Sequence, residues 1–413
     1  MISLADAARR EADYLVQTYD RCPVVVARGD GCYVFDTAGT RYLDAISGIG
    51  VSALGHGHPR IVAALTDQAR LLIHSSNIVY HPYQGELAER LCRISGMDRV
   101  FFSSTGTEAM EAALKAVRAY ARARGAIRTR LVALRRSFHG RTIGSLAVTG
   151  QPGYQAPFAP LTPEVAFIDP NDVDALRGAA TGETSAIVLE PILGEGGIIV
   201  LDEEFLCAAR AVANDVGALL ILDEIQCGLG RTGRHFAYQW ANASDGWRPD
   251  IVVVAKPLAA GYPLAATLFT DVVAAALPKD SHGTTFGGGP LACRLALEFL
   301  SVLDDLMPQI RTTGSYLMEQ LRALRRRHGI ITEVRGKGLM LGLELAGPAR
   351  PVVERALERG LLVNSTQETV VRLLPPFTLS RTQADDVVRI LDEALAAVGF
   401  QEAPAQRPPA GPR

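Results

Sequence analysis

Lysine is the residue this chain almost does without. Only Lys115, Lys256, Lys279 and Lys337 stand among its 42 basic residues. Arginine therefore carries the surface charge, and a lysine in an apolar context is not filler. An excess of one sign is also missing, since 42 Lys and Arg face 44 Asp and Glu for a net charge of −2. No basic excess or basic stripe points to a nucleic-acid partner. Six cysteines (Cys22, Cys32, Cys92, Cys207, Cys227 and Cys293) lie scattered without a Cys-x-x-Cys pair. Neither a disulfide framework nor a zinc knuckle is expected, and the reduced thiols of a cytoplasm fit. No apolar run reaches the ~18 residues of a membrane span, and no basic region followed by an apolar stretch opens the chain, so secretion and membrane association are not expected. There is no internal repeat. What is present is an ordinary globular composition, 48% hydrophobic and 21% charged over 413 residues, with core enough for about two or three domains.

Lys256 is the exception among the lysines. Ile251 to Ala255 is a continuous apolar run, the pattern of a strand buried on both faces, and Lys256 follows it at once. An ammonium at the mouth of a buried strand is costly unless paired or chemically used. Two readings stand: a lysine snorkelling out of a strand end, or an amine held partly neutral for Schiff-base chemistry, which arginine cannot supply.

The chain around it alternates helices with short apolar strands from about 60 to 300. The expected strands are Arg99–Phe102, Arg130–Leu134, Val165–Ile168, Ala186–Leu189, Ala218–Leu222, Ile251–Ala255 and Ala265–Phe269. This is the pattern of an α/β fold with a mostly parallel seven-stranded sheet flanked by helices, whose chemistry sits at the carboxyl ends of the strands. Before it, residues 2–20 read as an amphipathic helix and Cys22 to Leu43 as a β-meander. After it, the pattern becomes a smaller α+β unit: helices at 290–304 and 305–328, strands near 331–345, a helix at 350–359, strands near 361–374 and a helix at 381–398. The expected division is 1–55 as an N-terminal segment of the small domain, 56–304 as the large domain, 305–400 as the C-terminal small domain and 401–413 as a proline-rich disordered tail.

Each strand end carries polar groups. After the first come Ser104, Thr105, Gly106, Thr107 and Glu108; Thr105-x-x-Glu108 is a capping box, and small residues at a helix N-terminus make either a plain cap or an anion site suited to phosphate. Phe138, His139, Gly140 and Arg141 could stack on a ring and grip a carboxylate. Glu190 and Asp223, each ending a buried strand, need partners, and a protonated heterocyclic nitrogen would serve. His282 to Gly289 is a second glycine and hydroxyl loop at a helix start. Three other patterns are set aside. His56 and His58 have no further ligand at metal spacing. Gly228-x-Gly230-x-x-Gly233 does not sit at a strand-to-helix turn. Gly336-Lys337 lacks the preceding glycine of a P-loop.

In this order the pieces resemble the class III pyridoxal-phosphate aminotransferases, and among them the acetylornithine branch. The resemblance rests on Gly55–Pro59, Ser104–Ala109, Phe138–Thr142, Glu190–Gly197, Asp223–Gly233, Ala255-Lys256, His282–Gly288 and Arg335–Gly338, with Ile46–Val51 and Arg372 before Pro375-Pro376 pointing to the branch; it covers roughly residues 20–398. It implies the type I fold of pyridoxal-phosphate-dependent transferases, with the small domain built from both chain ends, and a homodimer. Pyridoxal 5'-phosphate is the implied cofactor. Lys256 would be the amine that holds it, Asp223 the partner of its ring nitrogen, Glu190 a further catalytic acid, and Gln226 a neighbour of its phenolic oxygen. Phe138 and Ile225 would cover its faces, with His139 beside them. Thr105, Gly106 and Thr107 would bind its phosphate, and Thr285 would reach the phosphate in the neighbouring subunit. Arg141 and Arg372 would hold substrate carboxylates, with Glu195 covering Arg372 when no α-carboxylate needs it. The implied reaction moves the terminal amino group of an acylated diamino acid, N-acetylornithine first, to 2-oxoglutarate, as in arginine biosynthesis. Ornithine, succinylornithine, acylated lysine or 4-aminobutyrate are alternative donors; an aminomutase, a decarboxylase or a non-catalytic binding protein are more distant readings. The chain departs from the family's habit at Pro257 to Gly261, at Pro263 to Ala266, at Gly289, and at Ile49, where ornithine enzymes place a tyrosine.

Overall fold

The computed structural model describes residues 2–241 and 247–398; the expected tail at 401–413 lies outside them. Seven strands form the central sheet in the spatial order Arg99–Ser103, Ala265–Phe269, Ile251–Val254, Leu219–Asp223, Thr184–Leu189, Arg130–Leu134, Val165–Ile168. Their apolar runs are continuous because both faces are covered. Val132, Ile187, Leu220 and Val252 join one apolar cluster, while their chain neighbours Leu131, Ala186, Leu219 and Ile251 join the cluster on the other face. All strands run parallel except Ala265–Phe269, which is antiparallel to both neighbours. The reason lies in the connection: only residues 255–264 separate it from Ile251–Val254, too few for a helical crossover, so the chain turns back on itself. That turn contains Lys256.

The N-terminal helix is shorter than its amphipathic pattern suggests, Leu4–Tyr14, and buries no residue. The meander forms from Val26–Asp30, Tyr33–Asp36 and Arg41–Asp44, and Leu361–Leu362 adds to it in parallel from the far end of the chain. A second small sheet joins Ile331–Lys337, Met340–Leu345, Val370–Leu373 and Asn364–Thr366. These pack into one apolar cluster with helix Arg381–Val398, including Leu43, Val334, Leu373 and Leu391.

The two helices expected at 290–304 and 305–328 are one, Pro290–Arg327, 38 residues long. Pro308 sits inside it and removes one backbone donor. Helical continuity survives because the apolar face does: Leu303, Met307, Ile310, Gly314, Leu317, Leu321 and Leu324 recur at helical spacing and are all buried. Its first half packs into the large core and its last turns into the small one.

The cores also meet at a glycine turn. Leu339 donates its amide to the Arg231 carbonyl at 2.9 Å. Gly338 has φ +57, and a Cβ there would lie 2.6 Å from the Thr232 carbonyl carbon. Gly338→Ala is therefore expected to cost about 2 kcal/mol or more of stability. A denaturant midpoint equal to the parent's would contradict this docking.

Candidate active site

The carboxyl ends of the sheet and the 255–264 turn enclose a cavity of about 390 Å³. Its walls include Thr105, Gly106, Thr107, Phe138, His139, Arg141, Glu190, Glu195, Asp223, Ile225, Gln226 and Lys256. Residues far apart in sequence thus meet because each ends a strand at the same edge. Arg372 does not line the cavity but is bonded to Glu195 and Gln226, which do. Thr285 is exposed and outside it. Val51, from the Ile46–Val51 stretch, and Tyr262, Pro263 and Leu264, beside or within the stretches that depart from the family's habit, also line the cavity. The last three are there because the antiparallel return brings the turn back over Lys256.

One wall is the start of helix Gly106–Ala123. Thr105 caps it, and the Glu108 carboxylate takes the amides of Thr105 at 2.8 Å and Ser104 at 2.9 Å. Among the described residues, no protein acceptor meets the amides of Gly106 and Thr107. They stand at the positive end of an 18-residue helix dipole. A Cβ at position 106 would come within 2.8 Å of Ile225 Cδ1, so only glycine lets Ile225 close on this turn. The Thr107 hydroxyl lies 2.7 Å from Ser145 Oγ and 2.9 Å from Thr142 Oγ1, which ties the helix start to the loop after Phe138.

The floor is ionic. Asp223 Oδ2 meets His139 Nδ1 at 2.7 Å and Asp223 Oδ1 accepts the Ile225 amide at 3.0 Å. Burial works against a charged His139, but the hydrogen bond and charge of Asp223 outweigh it and raise its pKa. His139 Nε2 is buried without a partner. Glu190 accepts the amides of Phe138 at 2.8 Å and Gly194 at 3.1 Å, one on each oxygen, and burial pushes its carboxyl up to about 7. Burial would also raise Glu195, yet the Arg372 charge holds it below the usual carboxylate range. Arg372, 1% exposed, donates from Nη1 to Glu195 Oε1 at 2.6 Å, to the Gly194 carbonyl at 3.2 Å and to Gln226 Oε1 at 3.3 Å. Lys256 is half-buried. Burial drives its pKa down, against the pull of Glu195, Asp223 and Glu190.

These groups fit a flat phosphorylated pyridine aldehyde. Two unengaged amides at a helix N-terminus suit the phosphate. Phe138 and Ile225 offer apolar surface for the ring, Asp223 a negative charge for its nitrogen, and Lys256 an amine for its aldehyde.

A family model, aminotransferase class-III, matches residues 14–395. The acetylornithine aminotransferase of Methanocaldococcus jannaschii is 42% identical over 391 residues, 94% of this chain and 97% of that protein. Acetylornithine aminotransferase 1 of Bordetella bronchiseptica is 45% identical over 382 residues, 91% and 96% of the two chains. Among solved structures, the ornithine aminotransferase of Toxoplasma gondii ME49 superposes with a TM-score of 0.91 at 33% identity, covering 96% of both chains. The acetylornithine aminotransferase of Elizabethkingia anophelis does so at 0.84 and 28% identity, over 96% of this chain and 100% of that one.

Next to Asp223, Glu224 is fully buried and accepts the amides of Ala237 at 2.7 Å and Tyr238 at 2.8 Å. Burial raises its pKa from 4.5 to about 7. A carboxyl whose folded pKa is raised contributes stability that is full below its unfolded pKa and is lost as pH rises through the folded one. Between pH 4.5 and about 7 the parent is thus expected to lose stability relative to Glu224→Gln. Denaturant titrations at several pH values read this directly, and parallel pH profiles for the two proteins would refute it.

Proposed function

Because the chain belongs to the class-III aminotransferase family, whose members work with pyridoxal phosphate, we propose that it transfers the terminal amino group of an acylated diamino acid to 2-oxoglutarate. N-acetylornithine is the donor we favour, which makes glutamate and a semialdehyde the products and arginine biosynthesis the setting. One observation carries the reading: a buried arginine, Arg372, covered at 2.6 Å by the carboxylate of Glu195, which lines the cavity together with Lys256. The 42% and 45% identity to acetylornithine aminotransferases supports that donor.

Bound pyridoxal phosphate supplies the electron sink that lets a proton leave the carbon bearing the amine. The chain does the rest. Lys256 would hold the cofactor, and its amine is the base that would move that proton; burial keeps a larger share of that amine neutral. Asp223 would meet the ring nitrogen, and His139 fixes the carboxylate's orientation. Glu190 is best read as a positioning residue rather than the catalytic acid expected from sequence, since both its oxygens hold backbone amides. Phe138 and Ile225 would keep water from the ring, and Gln226 spans Glu195 and Arg372. With Glu195 on Arg372, the site takes a donor by its terminal amine while Arg141 grips the distant carboxylate. With Glu195 turned away, Arg372 binds the α-carboxylate of 2-oxoglutarate.

Thr285 suits a homodimer. It lies beside an exposed apolar patch that includes Ile78, 90% exposed, and Phe286, 68% exposed. The patch is held to the 284–288 loop by Asn77, whose amide reaches the carbonyls of Thr284 and Gly287. We read the patch as the seat of a second copy, with Thr285 completing that copy's phosphate site. Six unpaired cysteines suit a cytoplasmic location.

Arg372→Ala is expected to lower kcat/KM for 2-oxoglutarate about 100-fold while changing the donor half-reaction less than about five-fold. Equal losses in single-turnover assays of the two halves would sink the switch. Thr285→Ala should raise the Kd for pyridoxal phosphate about ten-fold although the residue lies outside its own chain's cavity; an unchanged Kd refutes the shared site. A screen of N-acetylornithine, N-succinylornithine, ornithine, 4-aminobutyrate and acylated lysine against 2-oxoglutarate tests the donor.

A further inference from the structure

Arg141 stands in the cavity wall with no hydrogen bond or ion pair to any described residue. It nevertheless has a defined seat. Its guanidinium carbon lies 3.6 Å over the centre of the Tyr154 ring and 5.5 Å from that of Phe138, and the two rings meet edge-on at 6.3 Å. Tyr154 does not line the cavity. It borders the neighbouring cleft with Glu195 and Gln367. The short helix that carries it, Pro152–Gln155, is itself pinned. Gln155 donates to the carbonyls of Leu146 at 3.1 Å and Ala147 at 3.2 Å, and Gln151 to that of Arg136 at 3.1 Å.

A guanidinium stacked on a ring keeps its N–H groups free in its own plane, where a carboxylate can take two at once. Stacking also removes rotamer freedom that ligand binding would otherwise have to remove. We propose that Tyr154 is a positioning residue for Arg141, an aromatic shelf that holds the guanidinium ready for the donor's carboxylate and so sets the preference for donors that carry one. The inference rests on the reading that Arg141 grips that carboxylate.

The test uses the holoenzyme with two donors, one bearing a carboxylate distant from the reacting amine and one a plain α,ω-diamine. A non-reactive dicarboxylate, glutarate, is titrated separately by calorimetry. Tyr154→Leu is expected to raise the KM of the carboxylate donor and the Kd of glutarate about five-fold or more, with kcat within about two-fold and the diamine's KM unchanged. Tyr154→Phe, which keeps the ring, is expected to restore both values. Equal shifts for the two donors, or a Phe variant as impaired as the Leu variant, would overturn the shelf. Arg141→Met separates the two levels. If it raises the carboxylate donor's KM while Tyr154→Leu does not, the shelf alone falls. If it leaves that KM unchanged, the reading of Arg141 falls and the shelf with it.

Discussion

A carboxylate at the end of a buried strand cannot stand alone, and much of this site follows from how Asp223 is partnered. His139 reaches it at 2.7 Å across an intervening strand, since Thr184–Leu189 lies between the strands that carry them. Removing one member of such a buried pair typically costs about 3–5 kcal/mol, so the contact anchors the loop at 137–142. That loop then carries Phe138 and Arg141 to the cavity. Glu190, at the end of the strand between them, holds the Phe138 amide from below. Three neighbouring strand ends are thereby locked to one another before any ligand arrives, the preorganisation that a site needs if it is to act without rearranging.

A second buried ion works at longer range. Arg231 is 1% exposed and has no carboxylate partner among the described residues. Its guanidinium instead donates to the carbonyls of Leu339 at 3.2 Å and Pro375 at 2.5 Å and lies 4.5 Å from the centre of the Phe377 ring. Burial lowers its pKa to about 9. The groups it holds belong to the C-terminal sheet and the segment just after Arg372, so it joins the large core to the strand that supplies the proposed keto-acid contact. The helix Pro290–Arg327 joins the same two cores through apolar packing. Ionic and apolar connections therefore fix one relation between Lys256 on the large core and Arg372 on the small one.

Reading the chain alone, the strand ends were the most legible feature, because a polar residue directly after a doubly buried strand is costly and so conspicuous. Lys256, Asp223 and Glu190 all stand out this way, and all three line the cavity. Helix ends near Thr105 were equally clear from the capping box. Boundaries inside apolar periodicity were not. The break expected near residue 304 does not exist, because the buried apolar face runs on unbroken through it and past Pro308. The antiparallel course of Ala265–Phe269 was also invisible, as strand direction depends on how a connection closes rather than on the strand's own residues.

The sequence by itself determined which chemical groups the protein could bring to bear: one lysine in an apolar setting, acids at buried strand ends, a helix start free to meet an anion, arginines beside aromatics. Each of those follows from local cost, and local cost is written in a few adjacent residues. Which groups touch was decided only by tertiary structure. The Asp223–His139 bond, the cover of Glu195 over Arg372 and the seat of Arg141 on Tyr154 join residues 84, 177 and 13 positions apart in the chain. Contact across such separations depends on strand order, on the turn that folds back over Lys256, and on the packing of two cores against one helix. None of these is a property of any single stretch.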